Sequence, residues 1–473
     1  MVRHCAFRWA IILAAFAGCR STSPKNVQPP PMAPATISAT KSIVAPSPAT
    51  ALRIEQVSHQ ESLPAPSPEM PPPVSTGGND GELSLDELLA AVESRNASLE
   101  AMLAAWQAAS QKYPQAIALD DPMFMAMGAP ASFGSPDVES AYVLELKQRI
   151  PWHGKRPLRG AVAQQAANAA FHEYEDARLM LRQVVQAAYY DYFLATRQEK
   201  LVQENREAQE QFRATAQARY RNNQTTIQDV LQADVELADL ARRAIEVQRQ
   251  RRTSTARINV LLRQDVSTPL PPARAADPAT PLTDAEALRH LALSQRQDLA
   301  ALSHRVQEQE AALALAYKQF YPDVDLFGRY DTFWQPVSTQ SELRGQVGVS
   351  INLPVYRHKL NAAVNEANSR LNQRRAEYEQ KQLDIELEVE TAFLMTKESE
   401  QLLVLYRERL LPTLRQNVEA VRANYEAGKA SYLDLAQANR QLIMMREKEL
   451  EALAAYHQRR AELDRVVGVS LAQ

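Results

Sequence analysis

Apolar positions in this chain follow two different periods, and each period occurs twice. Leu411, Leu414, Val418, Val421 and Tyr425 step by alternating threes and fours, and Leu435, Leu442, Tyr456 and Leu463 fall on one seven-residue register. That spacing predicts helices packed side by side as coiled coils. The helical stretches are long: His153 to Arg219 and Arg357 to Asn424 are almost free of interior glycine, and at 1.5 Å per residue each would reach about 100 Å. No globular core is that deep. Pro412, inside the second stretch, is expected to kink it or mark a local break. Elsewhere the period drops to two. Leu343, Gly345, Val347, Val349, Ile351 and Leu353 alternate with Arg344, Gln346, Gly348, Ser350 and Asn352, a length that suits a tilted transmembrane β-strand. Tyr142, Leu144 and Leu146 alternate with Val143, Glu145 and Lys147. Val324, Leu326 and Tyr330 alternate with Asp325, Arg329 and Asp331 in the strand before the long alternating one, giving a hairpin. A first strand is expected somewhere in Gln115 to Met127 on the strength of the repeat. One face of these strands is apolar and the other charged, as when lipid lies outside and water inside.

The order of these patterns is duplicated. Leu85-Asp86-Glu87-Leu88-Leu89, with Ser94-Arg95-Asn96 behind it, returns as Ala285-Glu286-Ala287-Leu288 with Ser294-Gln295-Arg296. A Tyr-Pro break follows each, at Tyr113-Pro114 and Tyr321-Pro322, and then a non-helical stretch closed by Pro151 or Pro354. Each long helix runs to a tyrosine-led turn, at Tyr220 and Tyr425, with a further helix to about Leu262 and Val467. The reading is one unit of helix, β-hairpin, long helix and helix at 83–268, a proline-rich linker at 269–281, and a second copy at 282–473. Four strands cannot close a barrel in lipid without open edges, so several chains must share one.

The beginning of the chain has a different character. Arg3, His4 and Arg8 precede an apolar stretch from Trp9 to Phe16, and Ala17-Gly18-Cys19 closes it. This resembles a bacterial lipoprotein signal, which implies a signal peptide at 1–18 and a diacylglycerol on Cys19. An ordinary export signal with an incidental Cys19 is the alternative. The other of the two cysteines, Cys5, lies within the signal, so no internal disulfide is expected. From residue 19 to about 82 the chain is rich in Pro, Ser, Thr and Ala, as in Pro29-Pro30-Pro31 and Pro71-Pro72-Pro73, and reads as a disordered tether. Composition narrows the picture further. Only 13 of 473 residues are glycine, as a mostly helical chain requires. A net charge of -3 from 53 basic and 56 acidic side chains leaves no excess for binding nucleic acid. Mean hydropathy of -0.38, with no apolar run of roughly 20 residues, excludes a polytopic helical membrane protein but not a β-barrel.

Taken together, the signal, the duplicated unit and the strings at the helical turns resemble the TolC-type outer-membrane efflux proteins from about Leu83 to the C-terminus. The strings are Leu411-Pro412 with Tyr425-Glu426-Ala427-Gly428-Lys429-Ala430-Ser431-Tyr432-Leu433-Asp434-Leu435-Ala436-Gln437-Ala438, and Tyr220-Arg221-Asn222-Asn223-Gln224-Thr225-Thr226-Ile227-Gln228-Asp229-Val230-Leu231-Gln232-Ala233. Ile150 to Arg156, Ile-Pro-Trp-His-Gly-Lys-Arg, is most similar to the heavy-metal and cation branch. The resemblance implies a mainly α fold with a small β part. It implies a homotrimer whose helices form a periplasmic α-barrel and whose strands, four per chain, form a shared 12-stranded barrel in outer-membrane lipid. The implied partners are a periplasmic adaptor (membrane fusion) protein and an inner-membrane pump. The adaptor would meet the helical tips: Asn222, Asn223, Thr225, Tyr425, Gly428, Lys429 and Ser431. Gly428 is expected at positive φ. Asp434 falls where the family carries an acidic ring at the tunnel mouth. Gln437 stands where a second aspartate is common, so the constriction would rest on Asp434 with Asp229 from the other half. Compensation of charge at helix N-termini is the alternative role for both aspartates.

No phosphate loop, His-x-x-x-His pair or Gly-x-Ser-x-Gly turn occurs, so neither catalysis, a cofactor nor a resident metal is expected. Among the eight histidines, His153, His172 and His358 lie on or beside the long helices, where plain packing or solvation competes with a role on a transport path. Two classes therefore stand: an export channel, and a lipid-anchored coiled-coil adaptor or structural protein without a pore. The low glycine count and the period-two strands favour the channel.

Overall fold

The computed structural model describes residues 81–133, 141–274, 284–332 and 345–470, all within one compact unit, Pro68–Gln473. The signal peptide, Cys19, nearly all of the tether, residues 275–281 of the linker, and Leu343 and Arg344 lie outside the described residues.

Three helices open the described part of the chain: α1 (Leu85–Arg95), α2 (Ala97–Ser110) and α3 (Lys112–Ile117). Two strands follow, β1 (Met123–Gly128) and β2 (Tyr142–Ile150), then α4 (Lys155–Arg221) and α5 (Ile227–Leu261). The same kinds of element return in the same order as α6 (Ala285–Gln295), α7 (Gln297–Lys318), β3 (Val324–Asp331), β4 (Gly345–Ile351), α8 (Arg357–Leu405), α9 (Leu411–Glu426) and α10 (Tyr432–Val467). The chain is thus mainly helical with a small antiparallel sheet of order β1-β2-β3-β4. Among the described residues no helix is long and apolar enough to cross a membrane.

Two expectations are adjusted by the structure, and a third, the local break at Pro412, is met. Tyr113-Pro114 does not end a helix but lies inside the first turn of α3, where the N–H that proline lacks would have had no intrahelical partner. The break comes after Ile117. Strand β4 covers seven described residues, and Asn352 and Leu353 fall outside it. The second long helix is divided: one π turn, Tyr406–Leu410, separates α8 from α9, just before Pro412. The proline ring clashes with the carbonyl four residues back, and a widened turn accommodates it. In the first half α4 runs 67 residues uninterrupted.

Two cores occupy corresponding places. Leu88 and Val92 of α1, Val185 and Ala188 of α4, and Ile258 and Leu262 at the end of α5 are buried together. Leu288 and Ala292 of α6, Val389 and Ala392 of α8, and Leu463 and Val467 of α10 form the second cluster. Pair by pair, these positions lie about 200 to 205 residues apart. The C-terminal turns correspond too: Arg263 after α5 has φ 55° and Gly468 after α10 has φ 87°. The first core is closed by Tyr189, whose hydroxyl donates to the carbonyls of Leu83 and Arg274, and by Tyr192, which reaches those of Leu270 and Pro271. These tyrosines bind the segment after α5 to Leu83, two residues before α1, where Leu83 and Ala273 form a parallel bridge.

Candidate functional site

The strand register decides what each face of the sheet can touch. Phe124 pairs with Leu146 and Ala126 with Leu144; Leu144 faces Tyr330, and Leu146 faces Gly328. Gly328 is opposite Val347, Leu326 opposite Val349, and Val324 opposite Ile351. Since alternate residues share a face, these pairs form one apolar row across all four strands. It is open: Val347 is 93% exposed and Phe124 68%. The other face carries Glu145, Lys147, Arg149, Asp325, Arg329 and Asp331. Asp325 receives Lys147 at 2.9 Å and Arg149 at 3.2 Å, and Arg329 meets Asp331 at 2.6 Å. On this charged face Phe327 pairs with Gly348 and lays its ring where a Cβ would stand.

The strands enter the long helices through a locked corner. Lys155, 1% exposed, donates to Asp323 at 2.7 Å and to the carbonyl of Tyr321 at 2.9 Å. Trp152 stacks on Tyr321 with centroids 5.7 Å apart, and its N–H donates to Asp323. Both Tyr-Pro and Pro signals of the sequence lie near this corner. Its central lysine, part of the Ile-Pro-Trp-His-Gly-Lys-Arg string, was not singled out.

At the far end of α4 and α9 the chain reverses twice by the same device. Asn223 has φ 53° and Gly428 φ 72°. The N–H of Asn223 donates to Tyr220 and that of Gln224 to Arg219; likewise Gly428 donates to Tyr425 and Lys429 to Asn424. These are Schellman turns, in which the left-handed residue lets orphan carbonyls be satisfied. The expected positive φ at Gly428 is present, and Asn223 is its counterpart. The next helices begin at equivalent places. Ser431 caps α10 in a reciprocal box, its hydroxyl accepting from the N–H of Asp434 at 3.2 Å while the Asp434 carboxylate accepts from the N–H of Ser431 at 3.0 Å. The Ser431 hydroxyl also donates to the Asp434 carboxylate at 2.7 Å, and this bond first, then the one from the Ser431 N–H, holds the exposed Asp434 carboxyl below the ordinary aspartate range. Asp229 accepts from the hydroxyl of Thr225. Both aspartates are thus engaged at helix N-termini, and Gln437 is exposed one turn beyond Asp434.

The two turns are joined by contacts that sequence spacing does not reveal. Arg219 lies over the Tyr425 ring, 4.6 Å from its centroid. Tyr432 is buried against Ala233 and Ala436 and receives a 2.7 Å hydrogen bond from Gln209. Further along, Arg243 forms a two-pronged pair with Glu447, both contacts at 3.2 Å. Of the histidines weighed earlier, His172 stacks on His304 at 5.2 Å and bonds Gln297, while His153 and His358 are exposed. Among the described residues no group of three His, Cys, Asp or Glu is arranged to hold a metal.

A helical body of this length, with one amphipathic sheet where its long helices begin and paired turns where they end, has the fold of outer-membrane efflux channels. The resemblance to the TolC-type proteins is borne out in sequence as well: residues 288–469, most of the second half, match the family described as Outer membrane efflux protein. No curated protein matches the chain. Among solved structures it is similar to CusC, with TM-score 0.71 and 19% identity over 81% of this chain and 92% of that one. VceC of Vibrio cholerae has TM-score 0.67 and 18% identity over 82% and 96%. MtrE of Neisseria gonorrhoeae in its open state has TM-score 0.67 and 17% identity over 82% and 89%. At these identities the likeness is one of fold.

Proposed function

We propose that this chain is the outer-membrane exit channel of a tripartite efflux pump, conducting small molecules or metal ions passively from an inner-membrane pump and a periplasmic adaptor. The observation that carries the reading is the unbroken apolar row across four registered strands, at the start of helices about 100 Å long. A one-sided sheet with two open edges is tolerated in lipid only as part of a closed barrel. Three copies supply twelve strands, and their helices, including the two repeats at 83–268 and 282–473, line a periplasmic tunnel. Residues 1–18 direct export, Cys19 carries the lipid anchor, and 19–82 and 269–281 act as tether and linker. The turns at Asn222, Asn223, Thr225, Tyr425, Gly428, Lys429 and Ser431 meet the adaptor. Asp434, with Gln437 and Asp229, narrows the mouth. The chain does no chemistry, and the transport energy comes from the pump. Protein purified in detergent is expected to run as a trimer and to give discrete conductance steps in planar bilayers. A stable trimer without conductance overturns the reading.

A further inference from the structure

Strand β1 carries methionine at every second position: Met123, Met125 and Met127. They account for three of the 11 methionines in the chain within five consecutive residues, and residues i and i+2 of a strand share one face. The register says which face. Met123 is opposite Lys147, Met125 opposite Glu145 and Met127 opposite Val143, so the thioethers stand on the charged side of the sheet. The lipid-compatible row is made by their neighbours Phe124 and Ala126. The methionines are open, at 69%, 40% and 53% exposure. Burial therefore does not account for them, and lipid contact belongs to the other face.

Three thioethers in a row have one chemical property that leucines in their place would lack. They are neutral, polarisable sulfur donors, and soft donors of this kind select monovalent copper over zinc, magnesium or calcium. Alternate Cα atoms on a strand are about 6.7 Å apart, and each sulfur is carried on an unbranched, freely rotating stem. Adjacent rungs can thus converge on one ion. The carboxylate of Glu145, directly across from Met125, supplies a negative charge beside the ladder. Neutral donors with no proton to lose give a site whose affinity does not depend on deprotonation, unlike one made of cysteine or histidine.

We infer that Met123, Met125 and Met127 form a binding ladder for soft monovalent metal cations, Cu(I) or Ag(I), engaged as cargo on the water side of the sheet. The inference rests on the channel reading for its place in the lumen, but the site itself belongs to one strand. The test uses the full-length protein in detergent and silver(I) as probe. Silver(I) binding is expected, with a sulfur shell in X-ray absorption and an affinity unchanged between about pH 5 and 7.5. Zinc(II) is expected not to compete. Replacing all three by leucine, which keeps volume and apolarity, is expected to weaken binding at least tenfold, whereas M444L/M445L leaves it unchanged. Equal silver affinity in the triple variant overturns the inference. So does a pore-forming wild-type protein that binds no silver, an outcome that leaves the channel reading standing. Silver bound through the methionines by a protein that forms no pore supports the site and overturns only the channel reading.

Discussion

Asn223 and Gly428 are the same residue of the same turn, 205 positions apart, one at φ 53° and the other at φ 72°. The left-handed region penalises any residue with a Cβ, least so asparagine among the non-glycines. At Gly428 nothing lies within 4 Å of where a Cβ would be placed, so Gly428→Ala costs only the backbone term, about 1 kcal/mol. Asn223→Ala is expected to cost a similar amount. Asn223→Gly should be close to neutral, because relief of strain is offset by the greater freedom of the unfolded chain. Gly468, at φ 87°, is different: a Cβ there meets the backbone of Gln295 at 3.2 Å and of Arg296 at 3.3 Å. Gly468→Ala is therefore expected to be the most damaging of the four. Denaturant unfolding of each variant measures the order.

The box between Ser431 and Asp434 allows two roles of one carboxylate to be separated. Ser431→Ala removes the cap but keeps the charge, and is expected to lower stability by about 1 kcal/mol while leaving single-channel conductance unchanged. Asp434→Asn removes the charge and keeps the side-chain shape. If Asp434 narrows the mouth, conductance and cation preference change in Asp434→Asn alone. Equal conductance in both variants restricts Asp434 to the cap.

The acid response of the second core turns on two aspartates of opposite behaviour. Arg296, 4% exposed in its side chain, forms a two-pronged pair with Asp298 at 3.0 and 2.6 Å, and Lys381 adds a contact at 2.9 Å. Burial alone would raise the Asp298 carboxyl, but these hydrogen bonds and charges hold it down to about 2. Its folded pKa lies below its unfolded one, so its stabilisation is complete above about pH 4 and is lost as pH falls through 2. Asp176 is raised instead, by burial and then by the charge of Asp298. Its folded form holds the proton longer, so it weakens the fold as pH rises through its folded pKa. Asp176→Asn is expected to raise the unfolding midpoint at pH 7. Asp298→Asn is expected to lower it, by about 2 kcal/mol in free energy, because the buried Arg296 loses one of its two carboxylate partners and keeps Glu388. Thermal unfolding between about pH 3 and 8 checks both signs.

What could be read from the chain beforehand was whatever repeats with a fixed period. Leu435, Tyr456 and Leu463 share a seven-residue register in sequence and are all buried in α10, because a helix converts spacing directly into a face. Val347, Val349 and Ile351 likewise share one face with period two, an open one. Contacts between distant segments have no period. Nothing near Arg296 announces Glu388 or the carbonyl of Val466, both of which it reaches. Lys155 is an ordinary basic residue until the fold brings Asp323 to it. The first strand showed no alternation, because Met123, Phe124, Met125, Ala126 and Met127 are all apolar, and only the register separates sulfur on the charged face from Phe124 and Ala126 on the apolar one. A hydrophobicity pattern cannot distinguish the two. Pro114 was misread for a related reason, since proline breaks the interior of a helix yet is accommodated in its first turn.

The corner that joins sheet to helices is expected to be the least tolerant polar site among those described. Lys155 is buried and its ammonium is satisfied by two oxygens, the Asp323 carboxylate and the Tyr321 carbonyl. Asp323 in turn accepts from the N–H of Trp152 at 2.9 Å. Lys155→Met leaves that carboxylate without its cation, and Asp323→Asn leaves a buried ammonium without its anion. Each single change is expected to cost about 3 kcal/mol. The double variant removes both charges at once, and is expected to recover a large part of the loss, with a coupling of roughly 1 to 3 kcal/mol. A double-mutant cycle on unfolding free energy measures it directly. Strict additivity of the two single losses would show that the pair contributes nothing beyond its separate packing, and that Trp152 and Tyr321 hold the corner by stacking alone.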